Sequence, residues 1–193
     1  MTRPHIAAGL TFAFLLGFIA PCLAQETIGA PLVHRALTDT AAGSIFALNS
    51  GFTKPGTLTT WAFYNDNPGQ IGLVVTPLIL ELVGTDYIIR GVGTPQANDA
   101  SGAQSFSFGL LSGSDMVDQN FLFGWKDGTD DNSGQTGVIQ FDFVNVPAAG
   151  EQQWFRGGHA FDLLPDNDLG VGILLGAGVG QLDRDYSIQA TAQ

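Results

Sequence analysis

A chain of 193 residues with 26 glycines and only 13% charged residues is long enough to bury one sizeable core, and it lacks the charge that coats solvent-facing helices. Its 18 carboxylates against 7 Lys and Arg give a formal net charge of −11, which makes nucleic acid and anionic membrane poor partners; neither is expected. The single cysteine, Cys22, falls in a segment that reads as a leader, so a disulfide framework and a thiolate metal site are excluded from the mature chain.

Residues 1–24 read as a signal peptide. Arg3 supplies the positive start, Ala7 to Ala20 is apolar except for Gly9, Thr11 and Gly17, and Pro21-Cys22-Leu23-Ala24 ends on a small residue. Cleavage after Ala24 is expected, giving a secreted or periplasmic protein that begins at Gln25. An apolar run of about 14 residues is short of the roughly 20 that a spanning helix needs, and Pro21 interrupts it, so no membrane span is expected in the mature chain. Cys22 also invites a lipoprotein reading, but Pro21 stands where Gly, Ala or Ser is needed before a modified cysteine.

Residues 25–193 read as a single domain, because no Pro-rich or charged linker divides them and no repeat recurs. In chain order the strand candidates are Ser44 to Leu48, Leu58 to Tyr64, Ile71 to Val75, Leu78 to Val83, Tyr87 to Val92, Ser105 to Leu110, Phe121 to Trp125, Ile139 to Phe143, His159 to Leu163, Gly170 to Leu175 and Tyr186 to Thr191. Turn-forming clusters separate them: Lys54-Pro55-Gly56, Asn65 to Gly69, Gly84-Thr85-Asp86, Ser112 to Asp115 and Asp127 to Gly134. The expected fold is all-β, an antiparallel β-sandwich or jelly roll of about ten short strands. Period-2 alternation assigns Trp61, Phe63, Phe106, Phe108, Phe121, Phe123, Ile139, Phe141, Phe143, Tyr186 and Ile188 to the core. The apolar, glycine-rich stretch Gly170 to Gly180 is too short to cross a bilayer as a helix. It reads as a buried strand, with a self-associating edge as the alternative.

Five segments taken together carry a family likeness: Gly56 to Tyr64, Thr76 to Leu80, Tyr87 to Gly93, Phe123 to Gly128 and Arg184 to Ala190. In order and spacing they resemble uncharacterised β-sandwich domains of bacterial exported proteins, some of which carry an exosortase (PEP-CTERM) sorting tail. The resemblance covers roughly Ser44 to Thr191 and implies a sandwich fold and an extracellular setting, with no activity attached. The chain departs from the sorted members in ending at Ser187 to Gln193 without a Pro-Glu-Pro element, an apolar span or a basic finish. Sorting by that route is not expected.

The loop after Trp125 is the candidate cation site. Asp127, Asp130, Asp131, Asn132 and Ser133 place hard oxygen donors close together, and Gly128 and Gly134 let the backbone fold around an ion such as calcium. The spacing is not that of an EF-hand, and a solvated turn of good turn formers is the competing reading; Asp166-Asn167-Asp168 is a second acidic turn. Glycan binding needs aromatic faces beside amides and carboxylates, which points to Trp125, to Tyr64 and Asn65 at the head of Asn65-Asp66-Asn67, and to Trp154 beside Arg156. For catalysis there is no nucleophile elbow, no His-Glu-x-x-His motif and no phosphate-cradling loop. His159 with Asp162 is the nearest approach to a base and its orienting partner, and His34 carries less weight still. The expected function is therefore non-enzymatic binding of glycan or another extracellular surface component, assisted by calcium. A self-associating matrix protein and a polysaccharide-active hydrolase are the alternatives.

Overall fold

Alternation of apolar and polar side chains buries one face of a strand and wets the other, so a chain built from such segments must stack its sheets to remove the apolar faces from water. The computed structural model describes residues 24–38, 45–48, 50–127, 137–143, 153–156, 171–172, 175, 179–181 and 184–193, and the structural statements here concern those residues. They form an all-β protein of packed antiparallel sheets, as the alternation requires. Residues 1–23 of the leader, Asp130, Asp131, Asn132 and the segment His159 to Leu163 lie outside the described residues.

One sheet holds β1 (Glu26–Gly29), β4 (Gly56–Asn65), β8 (Gly102–Ser107), β10 (Met116–Val117) and β16 (Ile188–Ala192). In it β16 lies between β1 and β4, while β8 and β10 pair with β4. A larger sheet runs through β14 (Val179–Gln181), β13 (Gln153–Arg156), β3 (Ile45–Leu48), β11 (Phe121–Asp127), β5 (Val74–Val83), β6 (Asp86–Gly93) and β9 (Leu110–Gly113), with β7 (Gln96–Ala97) on β5. A third, small sheet sets β12 (Gln140–Phe143) between β2 (Leu37–Thr38) and β15 (Arg184–Tyr186). It continues the first sheet: β15 passes into β16 through Ser187, whose N–H donates to the Gln140 carbonyl at 2.8 Å and whose carbonyl accepts from the Tyr64 N–H at 3.0 Å.

The core between the sheets gathers Phe46, Trp61, Phe63, Ile79, Phe123, Trp125, Phe141, Tyr186 and Ile188. Its aromatic rings pack in offset contact, with Phe46 stacked on Trp125 at 5.3 Å and Trp125 edge-on to Tyr186 at 5.1 Å. A second apolar cluster, comprising Ile45, Ala47, Leu78, Leu80, Tyr87, Ile89, Val92, Leu122 and Leu175, covers the opposite face of the large sheet. Strands β3, β5 and β11 are therefore buried on both faces, which is why Ile45-Phe46-Ala47-Leu48 reads as a continuous apolar run rather than an alternating one. Gly124 on β11 is needed for this packing, since a Cβ there would sit 2.8 Å from the Phe46 carbonyl oxygen.

Three expectations need correction. Ile71 to Val75 and Leu78 to Val83 are not two strands. Residues 71–73 form a turn, and β5 runs unbroken from Val74 through Pro77. The proline is tolerated there because it falls between the last β6 pair, Leu78–Val92, and the first β7 pair, Val75–Gln96, where β5 is laddered only to β11. Phe143 is not in the core but 58% exposed, at the end of β12 with its ring edge-on against Phe141 at 5.3 Å. The described residues also hold sixteen strand segments rather than ten or eleven, most of the excess being two-residue to four-residue pieces too short to show a period.

Candidate functional site

Buried amides must find partners, and in this protein they pin one loop in place. Asn65, at the end of β4, donates to Gln70 Oε1 at 2.6 Å and to the Val138 carbonyl, and Gln70 Nε2 donates to the Gly137 carbonyl at 2.7 Å. Asn98 Nδ2 reaches the Gln70 carbonyl at 3.0 Å, and Gln104 Nε2 reaches Asn98 Oδ1 at 2.5 Å. Asn65 and Asn67 each accept from a backbone N–H two residues on, at 2.7 Å and 2.9 Å, closing two side-chain turns. The carboxylate between them, Asp66, is thereby held outward at the junction of β4 with the small sheet.

Asp66 is the hub of a polar cluster that reaches solvent. Its Oδ2 accepts from His34 Nδ1 at 2.8 Å and from the Tyr64 hydroxyl at 3.3 Å, while Oδ1 accepts from Gln140 Nε2 at 2.7 Å. Gln140 Oε1 in turn accepts the Arg35 N–H at 3.2 Å. His34 and Arg35 lie on an extended strap between β1 and β2, and Ser187 clamps it by accepting the Val33 N–H at 2.8 Å. Beneath the strap the buried Arg35 guanidinium meets Asp185 at 2.5 Å and Asp142 at 3.8 Å. The hydrogen bond from Gln140 holds the Asp66 carboxyl below its ordinary range, helped by His34 and Tyr64 against the cost of partial burial. Burial and the adjacent carboxylate push the Tyr64 phenol up, so it stays neutral and donating.

A carboxylate only accepts, so the hydrogen of the His34–Asp66 bond belongs to Nδ1. The His34 side chain is 65% exposed and that of Asp66 31%, so both can be reached from solvent. Chemically, the patch offers an aromatic body, an imidazole and a carboxylate rim, with amides behind them.

Of the residues singled out by sequence, Tyr64 belongs to this patch and is half-buried. Asn65 adjoins it but is fully buried and spends its amide on Gln70 and Val138, so its role is to hold the loop. Trp125 is enclosed between Phe46 and Tyr186 with no open face, which corrects its assignment as a stacking surface. Trp154 lies in β13 opposite Ala47 of β3 and Gly180 of β14, on the other sheet from Tyr64. Asp127 ends β11 buried, and its Oδ1 accepts the Val138 N–H at 3.2 Å, tying together the two ends of the stretch 128–136 that contains Asp130, Asp131 and Asn132. Among the described residues no group of three or more His, Cys, Asp or Glu side chains could hold a metal, and no helix is long and apolar enough to cross a membrane.

Sequence reasoning missed the roles of His34, Asp66 and Gln140. Asp66 carried a signal, an aspartate inside an Asn-Asp-Asn turn directly after an aromatic strand end. Its partners carried none, being separated from it by 32 and 74 positions. The chain matches no protein-family model, and no curated protein is significantly similar to it.

Proposed function

We propose that this β-sandwich is a non-enzymatic, exported protein that binds glycan or another extracellular surface component through the patch formed by Tyr64, Asp66 and His34. The observation that carries the reading is the convergence of a partly open phenol ring and a carboxylate on one braced loop with an imidazole from the neighbouring strap. Sugar C–H faces pack on rings, and sugar hydroxyls need directional acceptors and donors, which is the mixture assembled here. Calcium ordering of the Asp127 to Gly134 loop is a second element of the proposal, and it draws on the donor-rich sequence of that loop. A glycan array run in calcium and again in chelator tests both elements. Tyr64→Ala should abolish binding to whichever glycans the parent chain retains, and undiminished binding by that variant would move the site elsewhere.

A self-associating role is the second reading, and β9 is the observation that favours it. This strand forms an edge of the large sheet among the described residues, with Leu110 exposed and Leu111 65% exposed. Sedimentation of the parent and of Leu111→Lys over a range of concentrations separates the readings, since only self-association predicts larger species that the lysine disperses.

A further inference from the structure

Removal of a leader creates a new chain end, and cleavage after Ala24 places Gln25 there. An amino-terminal glutamine carries its own electrophile, because a bond from the α-nitrogen to the side-chain amide carbon closes an unstrained five-membered ring. The fold leaves that side chain free. Gln25 is exposed and lies just ahead of β1, whose first ladder pair is Glu26 with Ala192, and its amide makes no hydrogen bond among the described residues. Nor is there a carboxylate reserved for the new ammonium. The Glu26 side chain already accepts from the Thr53 N–H at 3.0 Å and from the Thr53 hydroxyl at 2.7 Å, and Ala24 lines a groove that also holds Lys54, a like charge.

We infer that Gln25 of the exported protein closes into pyroglutamate, a modification that seals the amino terminus against exopeptidases. The α-nitrogen bonds to the side-chain carbonyl carbon, the bond from that carbon to the amide nitrogen breaks, and the amide leaves as ammonia with a proton taken from the amine. No oxidant, water or cofactor enters the step. The ordinary pKa of an α-amine is about 7.7–8.0, so a share of the nucleophile is unprotonated at neutral pH. The product keeps the Gln25 carbonyl and the Glu26 N–H, so β1 keeps its register against β16. What the chain end loses is its ammonium, the group by which aminopeptidases recognise a substrate. The inference rests on the export reading and is independent of the Tyr64 patch.

Intact-mass measurement tests the inference on the full chain, expressed with its leader in a bacterial host, recovered after export and held at neutral pH until its mass is constant. The whole population should have the mass of Gln25–Gln193 less one ammonia. Treatment with a broad-specificity aminopeptidase should then leave that mass unchanged. Gln25→Asn cannot close the same ring, so it should keep its ammonia and lose its first residue to the aminopeptidase. Because Gln25 is exposed and outside the ladder, both proteins should fold alike. A mature chain that begins at Gln25 and retains its ammonia, or one that begins at another residue, would overturn the inference and leave the export reading standing. A chain that keeps residues 1–24 would overturn both. Loss of ammonia from Gln25→Asn to the same extent would place the reaction at another amide and overturn the assignment to Gln25. Equal trimming of the two proteins, or trimming of neither, would overturn the protective role.

Discussion

Asp66 shows how one carboxylate acquires a role from the groups that reach it. Three side chains donate to it, so its ionised form is stabilised in the fold and its folded pKa is depressed relative to the unfolded chain. A depressed pKa contributes stability that is full above the ordinary carboxylate range, near about pH 4, and is lost as pH falls through the lower folded value. Urea midpoints measured from pH 6 down to pH 2 should therefore fall more steeply for the parent than for Asp66→Asn, with the difference confined to the acid limb. Arg35 presents the opposite situation, a cation buried beneath the strap whose removal strands Asp185. Breaking a buried pair from one side typically costs about 3–5 kcal/mol, far more than the pair itself contributes. Arg35→Met should lose stability on that scale in chemical denaturation, and the double change Arg35→Met with Asp185→Leu should recover much of it, because the carboxylate then left without Arg35, Asp142, is open to solvent.

At the scale of the element, the difference between a strand wetted on one face and a strand buried on both has a direct mutational signature. On β16, Ile188 is buried while Gln189 is partly open, so Ile188→Ala should destabilise strongly and Gln189→Ala hardly at all. On β5, Ile79 faces the core between the sheets and Leu80 faces the second cluster, across a bulge at which the partner residue steps from Gly91 to Ile89. Ile79→Ala and Leu80→Ala should each cost about 2–5 kcal/mol. Denaturant titration of the four variants checks the pattern, and a cheap Leu80→Ala would show that the outer cluster contributes little. This double burial also explains why the sequence misread β5. A strand with both faces covered has no period to display, and Pro77 stands where the ladder has a gap on one side.

For the whole molecule, the imbalance of charge makes cations a global as well as a local matter. The donor-rich loop after Trp125 repels itself in a chain of net charge −11 unless salt or a bound ion relieves it. A specific ion adds RT ln(1 + [L]/Kd), or about 2.7 kcal/mol at one hundred times Kd, and it does so only in the folded state. Millimolar calcium should raise Tm more than sodium at matched ionic strength, and Asp130→Asn combined with Asp131→Asn should remove the excess while leaving the fold intact. Identical shifts in the two salts would show that the loop is a solvated turn.

The sequence by itself determined the class of fold and most of the core. Alternation along β4, β8 and β16 is a local property of neighbouring residues, and it names the buried face before any partner strand is known. It also brought Tyr64 and the Asn-Asp-Asn turn forward as candidates. Tertiary structure alone decided that Trp125 is enclosed and Phe143 is not, because the period of a strand does not say where its neighbours end. It alone brought His34 and Gln140 to Asp66, since those contacts depend on the order of strands in the small sheet and on the path of the strap across it. Local pattern specifies which way a side chain points, and only the pairing of distant segments specifies what it meets.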